Sequence, residues 1–147
     1  MIKILFVCHG NICRSPMAEF IMKNLVKDFK EDFYIASRAT SSEEIGNPVY
    51  PPAKRKLKEH GILCDGKTAK KMTKEDYKNF DYIILMDKNN LRNIKYLIGE
   101  DTDNKISLLL NWAGEDKEVS DPWYTGDFDT CYNDILRGCK GVLKKIR

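Results

Sequence analysis

The stretch from Lys3 to Pro16 constrains the fold of this chain more than any other, because a strand-like run passes without a break into a loop of defined chemistry. Lys3-Ile4-Leu5-Phe6-Val7 is short and almost wholly apolar, the pattern of a strand buried on both faces. Cys8-His9-Gly10-Asn11-Ile12-Cys13-Arg14-Ser15 follows at once, in the pattern C-x5-R-S. Ser15-Pro16 then opens an amphipathic stretch through Lys30, with Ser15 or a neighbour placed to cap the helix and proline suited to its first turn. Glu19 falls in the first turns, where the helix dipole favours an acid. A buried strand, a tight loop and a helix N-terminus are therefore expected within the first thirty residues.

The rest of the chain continues the alternation. Phe33-Tyr34-Ile35-Ala36 reads as a second strand, and residues 37–52 read as a loop punctuated by Gly46, Asn47, Pro48, Pro51 and Pro52. Residues 53–60 have helical composition and end at Gly61, a natural stop. Thr73 heads a short helix with Glu75 and Asp76 in its first turn. Residues 82–86 form the clearest buried strand, followed by a helix over 88–98 and a last strand over 106–110. Residues 116–126 read as a loop, and 127–146 as a C-terminal helix interrupted by Gly138 and Gly141. Strands alternating with helices predict an α/β fold: a three-layer, doubly wound sheet of about four parallel strands with helices on both faces. In such folds the ligand crevice lies at the carboxyl ends of the strands, and Cys8 stands at that end of the first.

Composition narrows the class. A chain of 147 residues is one ordinary domain and buries roughly 70% of its unfolded surface. It is 42% hydrophobic and 32% charged, as soluble globular proteins are. Its net charge of +3 makes no case for nucleic-acid binding, and the Lys54-Arg55-Lys56 and Lys70-Lys71 clusters read as solvated helix faces. The apolar start is too short for a signal peptide, and no segment approaches a membrane span. Five cysteines without an export signal argue for reduced thiols in a cytoplasmic protein rather than a disulfide framework.

The chemistry concentrates in the loop. Five residues between a strand and a helix can curl so that successive N–H groups point inward as an anion-binding nest, to which the helix adds its positive end. Gly10 is expected to supply backbone angles closed to other residues. Arg14 can close the ring with two parallel hydrogen bonds to phosphate oxygens, a geometry that lysine does not match. Thiolates are favoured at helix N-termini and beside arginine, which makes Cys8 the candidate nucleophile. Ser15 can donate a hydrogen bond to its sulfur. C-x5-R alone occurs by chance, but its placement after a strand and before a helix start favours a phosphate loop over a core cysteine.

The run Val7-Cys8-His9-Gly10-Asn11-Ile12-Cys13-Arg14-Ser15-Pro16-Met17-Ala18-Glu19 resembles the signature of the low-molecular-weight protein tyrosine phosphatases, of bacterial type. Ala39-Thr40-Ser41 with Glu44-Ile45-Gly46-Asn47-Pro48 is similar to that family's second loop. Phe80-Asp81-Tyr82-Ile83, Met86-Asp87 and Asn90-Leu91-Arg92 are similar to its fourth strand and helix. Asp121-Pro122-Trp123-Tyr124 resembles its general-acid loop. The resemblance covers essentially all of residues 1–147 as a single phosphatase domain. It implies that Cys8 attacks phosphorus to form a phosphocysteine and that Arg14 and the loop amides, from His9 through Ser15, bind the phosphoryl oxygens. It further implies that Asp121 protonates the departing tyrosyl oxygen and then activates water. Asn11, Ser15 and Ser37 match positions that support the loop, while Glu43, Trp123 and Tyr124 fall where the family lines its substrate cleft. No cofactor or metal is implied; the partner is a phosphotyrosine protein, and a monomer is expected. Without the resemblance, Asp121 would read as a turn-forming Asp-Pro. Cys13 has two readings, a partner for Cys8 in a protective disulfide or a small buried helix residue.

Three positions depart from the family pattern and bear on substrate preference. Glu43 stands where an aromatic residue is common, Trp123 replaces the first tyrosine of Asp-Pro-Tyr-Tyr, and Arg38 follows Ser37 where a small residue is usual. Arsenate reductases on the same scaffold need two further cysteines on a mobile segment, whereas Cys64 stands alone and Cys131 and Cys139 fall in a helix. Protein arginine phosphatases carry threonine where Ile12 stands. A non-catalytic phosphopeptide-binding module would have no use for Cys8, Arg14 and Asp121 together. His9 reads as a loop spacer and His60 as a helix-end residue.

Overall fold

The computed structural model describes residues 1–146. Strands β1 (Ile2–Cys8), β2 (Phe33–Ala39), β3 (Tyr82–Leu85) and β4 (Ile106–Leu108) form one parallel sheet in the order β2-β1-β3-β4. β1 is the axis: Leu5 pairs with Ala36 on one side and with Ile83 on the other. Ile4, Leu5, Phe6 and Val7 are fully buried, each worth about 1.5–3 kcal/mol in apolar burial. Side chains alternate across the sheet. Ile4, Phe6 and Cys8 pack into the core that contains α1 (Arg14–Val26), α2 (Pro51–Glu59) and α6 (Phe128–Ile146). Leu5 and Val7 face α3 (Lys74–Asn79) and α4 (Lys88–Ile98). The three layers are as expected, and the strand order reverses at β1, which places the crevice beyond Cys8.

Several boundaries differ from the sequence reading. α1 ends at Val26 rather than Lys30, and its N-cap, Cys13, makes no side-chain capping bond; the Ser15 hydroxyl is engaged with Cys8 instead. β2 runs on through Ser37, Arg38 and Ala39, because Ala39 is also paired on its outer side with Lys71. Lys70 and Lys71 therefore belong to an extended segment and not to a helix face. Pro51 and Pro52 open α2 as its first residues, where a missing N–H costs nothing. β4 stops at Leu108, and Leu109–Ala113 turns into a short 3₁₀ helix that buries Leu109 and Leu110. The 116–126 loop contains a one-turn helix, α5 (Pro122–Thr125).

Gly138 and Gly141 do not interrupt α6, which is continuous. They let it approach the 3₁₀ turn. A Cβ on Gly138 would lie 2.4 Å from Leu109 Cγ, and one on Gly141 would lie 2.4 Å from the Trp112 carbonyl oxygen. Both glycines carry their helix-propensity cost for contact with that turn. Thr73 does cap α3, in a capping box with Asp76.

Candidate active site

The loop between β1 and α1 is held from outside by its carbonyls. Those of Cys8 and His9 accept hydrogen bonds from the Thr40 and Ser41 amides at 3.0 and 3.1 Å, and that of Ile12 accepts one from the Tyr50 amide at 2.7 Å. In a planar trans peptide the next N–H points the opposite way. The amides of His9, Gly10 and Cys13 are thus turned toward the inside of the loop, as an anion nest requires. The left-handed residue of this loop is Asn11, at φ 59°, rather than the expected Gly10, whose φ is not positive. Asparagine tolerates that region better than most side chains. A Cβ at Gly10 would lie 3.3 Å from Glu44 Cγ, a tight contact that the Glu44 side chain would have to relieve by a small shift.

Asn11 is buried and fully used. Its Nδ2 donates to Ser15 Oγ at 2.8 Å and to Ser37 Oγ at 2.9 Å, while its Oδ1 accepts from the Lys70 amide at 3.1 Å. The Ser37 hydroxyl in turn donates a hydrogen bond to Glu19 Oε1 at 2.6 Å. Ser15 Oγ lies 3.0 Å from Cys8 Sγ and 3.4 Å from the Arg38 carbonyl oxygen; toward a thiolate, which has no proton to give, the hydroxyl can only donate. The Ser15 amide also donates to that sulfur at 3.4 Å. Asn11, Ser15 and Ser37 are thus brought together as expected, with Glu19 as the anionic end of the chain, a role that its helix-dipole reading missed.

Arg14 is only 3% exposed. Its Nη1 donates to Asp87 Oδ2 at 2.9 Å and to the Val119 carbonyl at 2.8 Å. Burial works against the charge, but Cys8, Asp87 and Asp121 outweigh it and hold the guanidinium protonated. Anchoring one edge leaves Nε and Nη2 to form a bidentate fork toward an oxyanion above Cys8. Asp121 caps α5, accepting from the Trp123 amide at 3.0 Å, and its Oδ2 lies 3.5 Å from Arg14 Nη2. Asp87, not anticipated as a site residue, is the N-cap of α4 in a capping box with Asn90. The spacing Asp87-x-x-Asn90 was a readable capping signal, whereas Val119 acts through its backbone and carried none.

A cleft of about 250 Å³ opens above Cys8, with Arg14 and Asp121 in its lining. Trp123, Tyr124, Glu43 and Glu44 also line it. Trp123 is braced by Tyr50, with ring centroids 4.8 Å apart. Glu43 does not simply point into water: its carboxylate meets His9 Nε2 at 3.0 Å. Arg38, by contrast, is not in this cleft and pairs with Asp76 at 3.3 Å. All five cysteines are free and buried. Burial pushes the Cys13 thiol well up, with Cys131 and Cys8 adding to the effect, and burial likewise pushes Cys131 up to about 12. His60 ends α2 and stacks on Tyr132 at 3.9 Å.

Residues 3–147 match the family model described as low molecular weight phosphotyrosine protein phosphatase. The Gallus gallus low molecular weight phosphotyrosine protein phosphatase is 41% identical over 149 residues, which span 97% of this chain and 94% of that protein. The crystal structure of YfkJ from Bacillus subtilis superposes with a TM-score of 0.93 at 38% identity, covering 99% of this chain and 94% of the other. A Drosophila arginine phosphatase structure superposes with a TM-score of 0.91 at 33% identity, covering 99% and 98%.

Proposed function

We propose, from the premise that this chain belongs to the low molecular weight phosphotyrosine protein phosphatase family, that Cys8, Arg14 and Asp121 carry its reaction. The protein is a protein tyrosine phosphatase working through a phosphocysteine intermediate, and its substrates are phosphoproteins. The observation that supports these assignments best is the convergence on Cys8 Sγ of the Ser15 hydroxyl and amide, beneath a cleft lined by Arg14 and Asp121. Cys8 attacks phosphorus in line, while Arg14 and the inward amides of His9, Gly10 and Cys13 hold the equatorial oxygens. Asp121 gives its proton to the departing tyrosyl oxygen, then takes one from the water that cleaves the S–P bond. Ser15 holds the sulfur as it leaves.

Residues 1–147 act as one catalytic domain in this reading, as a cytoplasmic monomer; five reduced cysteines suit that compartment, and light scattering with cell fractionation checks both points. No helix of the described residues is long and apolar enough to cross a membrane. Turnover of p-nitrophenyl phosphate and of phosphotyrosine peptides is expected, with phosphoarginine and arsenate poor substrates. A preference for either of the latter would overturn the assignment. Ile12, where arginine phosphatases carry threonine, lines the cleft and supports the tyrosine reading.

Glu43 sets flanking preference in this proposal. With Glu44 it adds acidic charge to the cleft lining, which suits a lysine or arginine beside the phosphotyrosine, while Trp123 offers the ring a flat contact worth ~0.5–1.5 kcal/mol beyond burial. Glu43→Tyr is expected to raise kcat/KM for small aryl phosphates and to weaken any preference for basic flanks. Unchanged ratios between acidic and basic phosphopeptides would remove Glu43 from substrate selection.

A further inference from the structure

A second cleft, of about 270 Å³, lies at the outer edge of β2 and is lined by Lys23, Arg38, Lys67, Lys70 and Glu19 among others. These side chains sum to +3, four cations against one carboxylate, and Asp76, which pairs with Arg38 at 3.3 Å from outside the lining, brings the cluster to +2; the charged lining of the catalytic cleft (Arg14 against Glu43, Glu44 and Asp121) sums to −2. The surplus is partly sunk into the protein. The Lys67 side chain is 11% exposed and that of Arg38 17%. Glu19 is already compensated, receiving Lys23 at 2.6 Å, Lys67 at 3.3 Å and the Ser37 hydroxyl at 2.6 Å. The Lys70 ammonium makes no ion pair among the described residues, although its backbone amide holds Asn11.

The geometry points to a second anion site here, separate from the catalytic loop, that takes a compact, multiply charged phosphate. Close positive charges repel one another, most where they are partly withdrawn from water as Lys67 and Arg38 are, and an anion of two or more charges reduces that repulsion. Burial depresses the ionisation of Lys67, a cost that the same anion would offset. A compact occupant fits better than an extended acidic peptide. β2 is an edge strand, but its outward Ser37 carbonyl already accepts from Arg38 Nη1 at 2.8 Å and from Lys67 Nζ at 3.2 Å. An added strand would have to displace both, and an edge guarded by a lysine is the usual defence against such pairing.

Titration of the full chain with sodium tripolyphosphate, after one equivalent of vanadate has filled the catalytic loop, is the test. One further anion per chain is expected to bind, with saturable amide shifts over residues 66–70 and around Lys23. The double variant Lys23→Gln, Lys70→Gln changes exposed ammonium groups only; it should keep its circular dichroism and lose roughly tenfold or more in affinity. The assignment is overturned if tripolyphosphate shifts only residues 9–15, if the double variant binds equally well, or if a hexaglutamate peptide binds the cleft and tripolyphosphate does not.

Discussion

Cys8→Ser is expected to reduce hydrolysis of p-nitrophenyl phosphate on the order of 10⁴–10⁶-fold, the scale on which an enzyme loses its nucleophile, while the folded protein still binds vanadate or phosphate. A serine hydroxyl can occupy the buried position of Cys8 and meet Ser15, but a hydroxyl is a far weaker nucleophile than a cysteine sulfur. The anion nest is backbone and is untouched by the change. Arg14→Lys should be nearly as damaging although the charge survives. In the native site one guanidinium edge is spent on Asp87 and Val119, and the other is left for the phosphoryl oxygens; a single ammonium cannot serve both directions. Turnover by Cys8→Ser above a trace would rule out the covalent route. Full activity of Arg14→Lys would show that the fork is not used.

Asp121→Asn is expected to separate substrates by their leaving groups. A general acid contributes roughly 10²–10⁴-fold. Phenyl phosphate should suffer most of that loss, and p-nitrophenyl phosphate, whose leaving group barely needs a proton, much less. The substitution keeps the helix cap, because asparagine caps about as well as aspartate and can retain the bond from the Trp123 amide, but it removes a carboxylate 3.5 Å from Arg14 Nη2. That electrostatic change is common to both substrates, so the expected result is read from the ratio of the two losses. Equal losses on the two substrates would count against Asp121 as the acid.

How far this site could be read without coordinates depends on where each interaction is encoded. Cys8, Arg14 and Ser15 stand within eight residues, so strand, nest and helix start were legible together, and Thr73 and Gly61 announced their helix ends by residue type. The left-handed turn at Asn11 was misplaced onto Gly10 because both residue types accept positive φ. What distinguishes them is contact: Asn11 spends its amide on Ser15, Ser37 and the Lys70 backbone. Gly138 and Gly141 looked like breaks in a helix for a similar reason. Local propensity penalises glycine, and only the packed Leu109–Ala113 turn shows that no Cβ fits there.

The local determinants were therefore carried by the chain itself: an alternating order of strands and helices, a cysteine at a strand end, a five-residue loop closed by an arginine, and an Asp-Pro in a turn. Tertiary structure decided the partners that lie far along the chain. Asp87, 73 residues from Arg14, and Val119, 105 residues away, fix the guanidinium. Glu19 anchors Ser37 across the β2 edge, and Glu43 closes on His9 across 34 residues. Those contacts depend on strand order and on how closely helices approach the sheet. Neither is written in the spacing of neighbouring residues, because register and packing distance are set by the whole core at once.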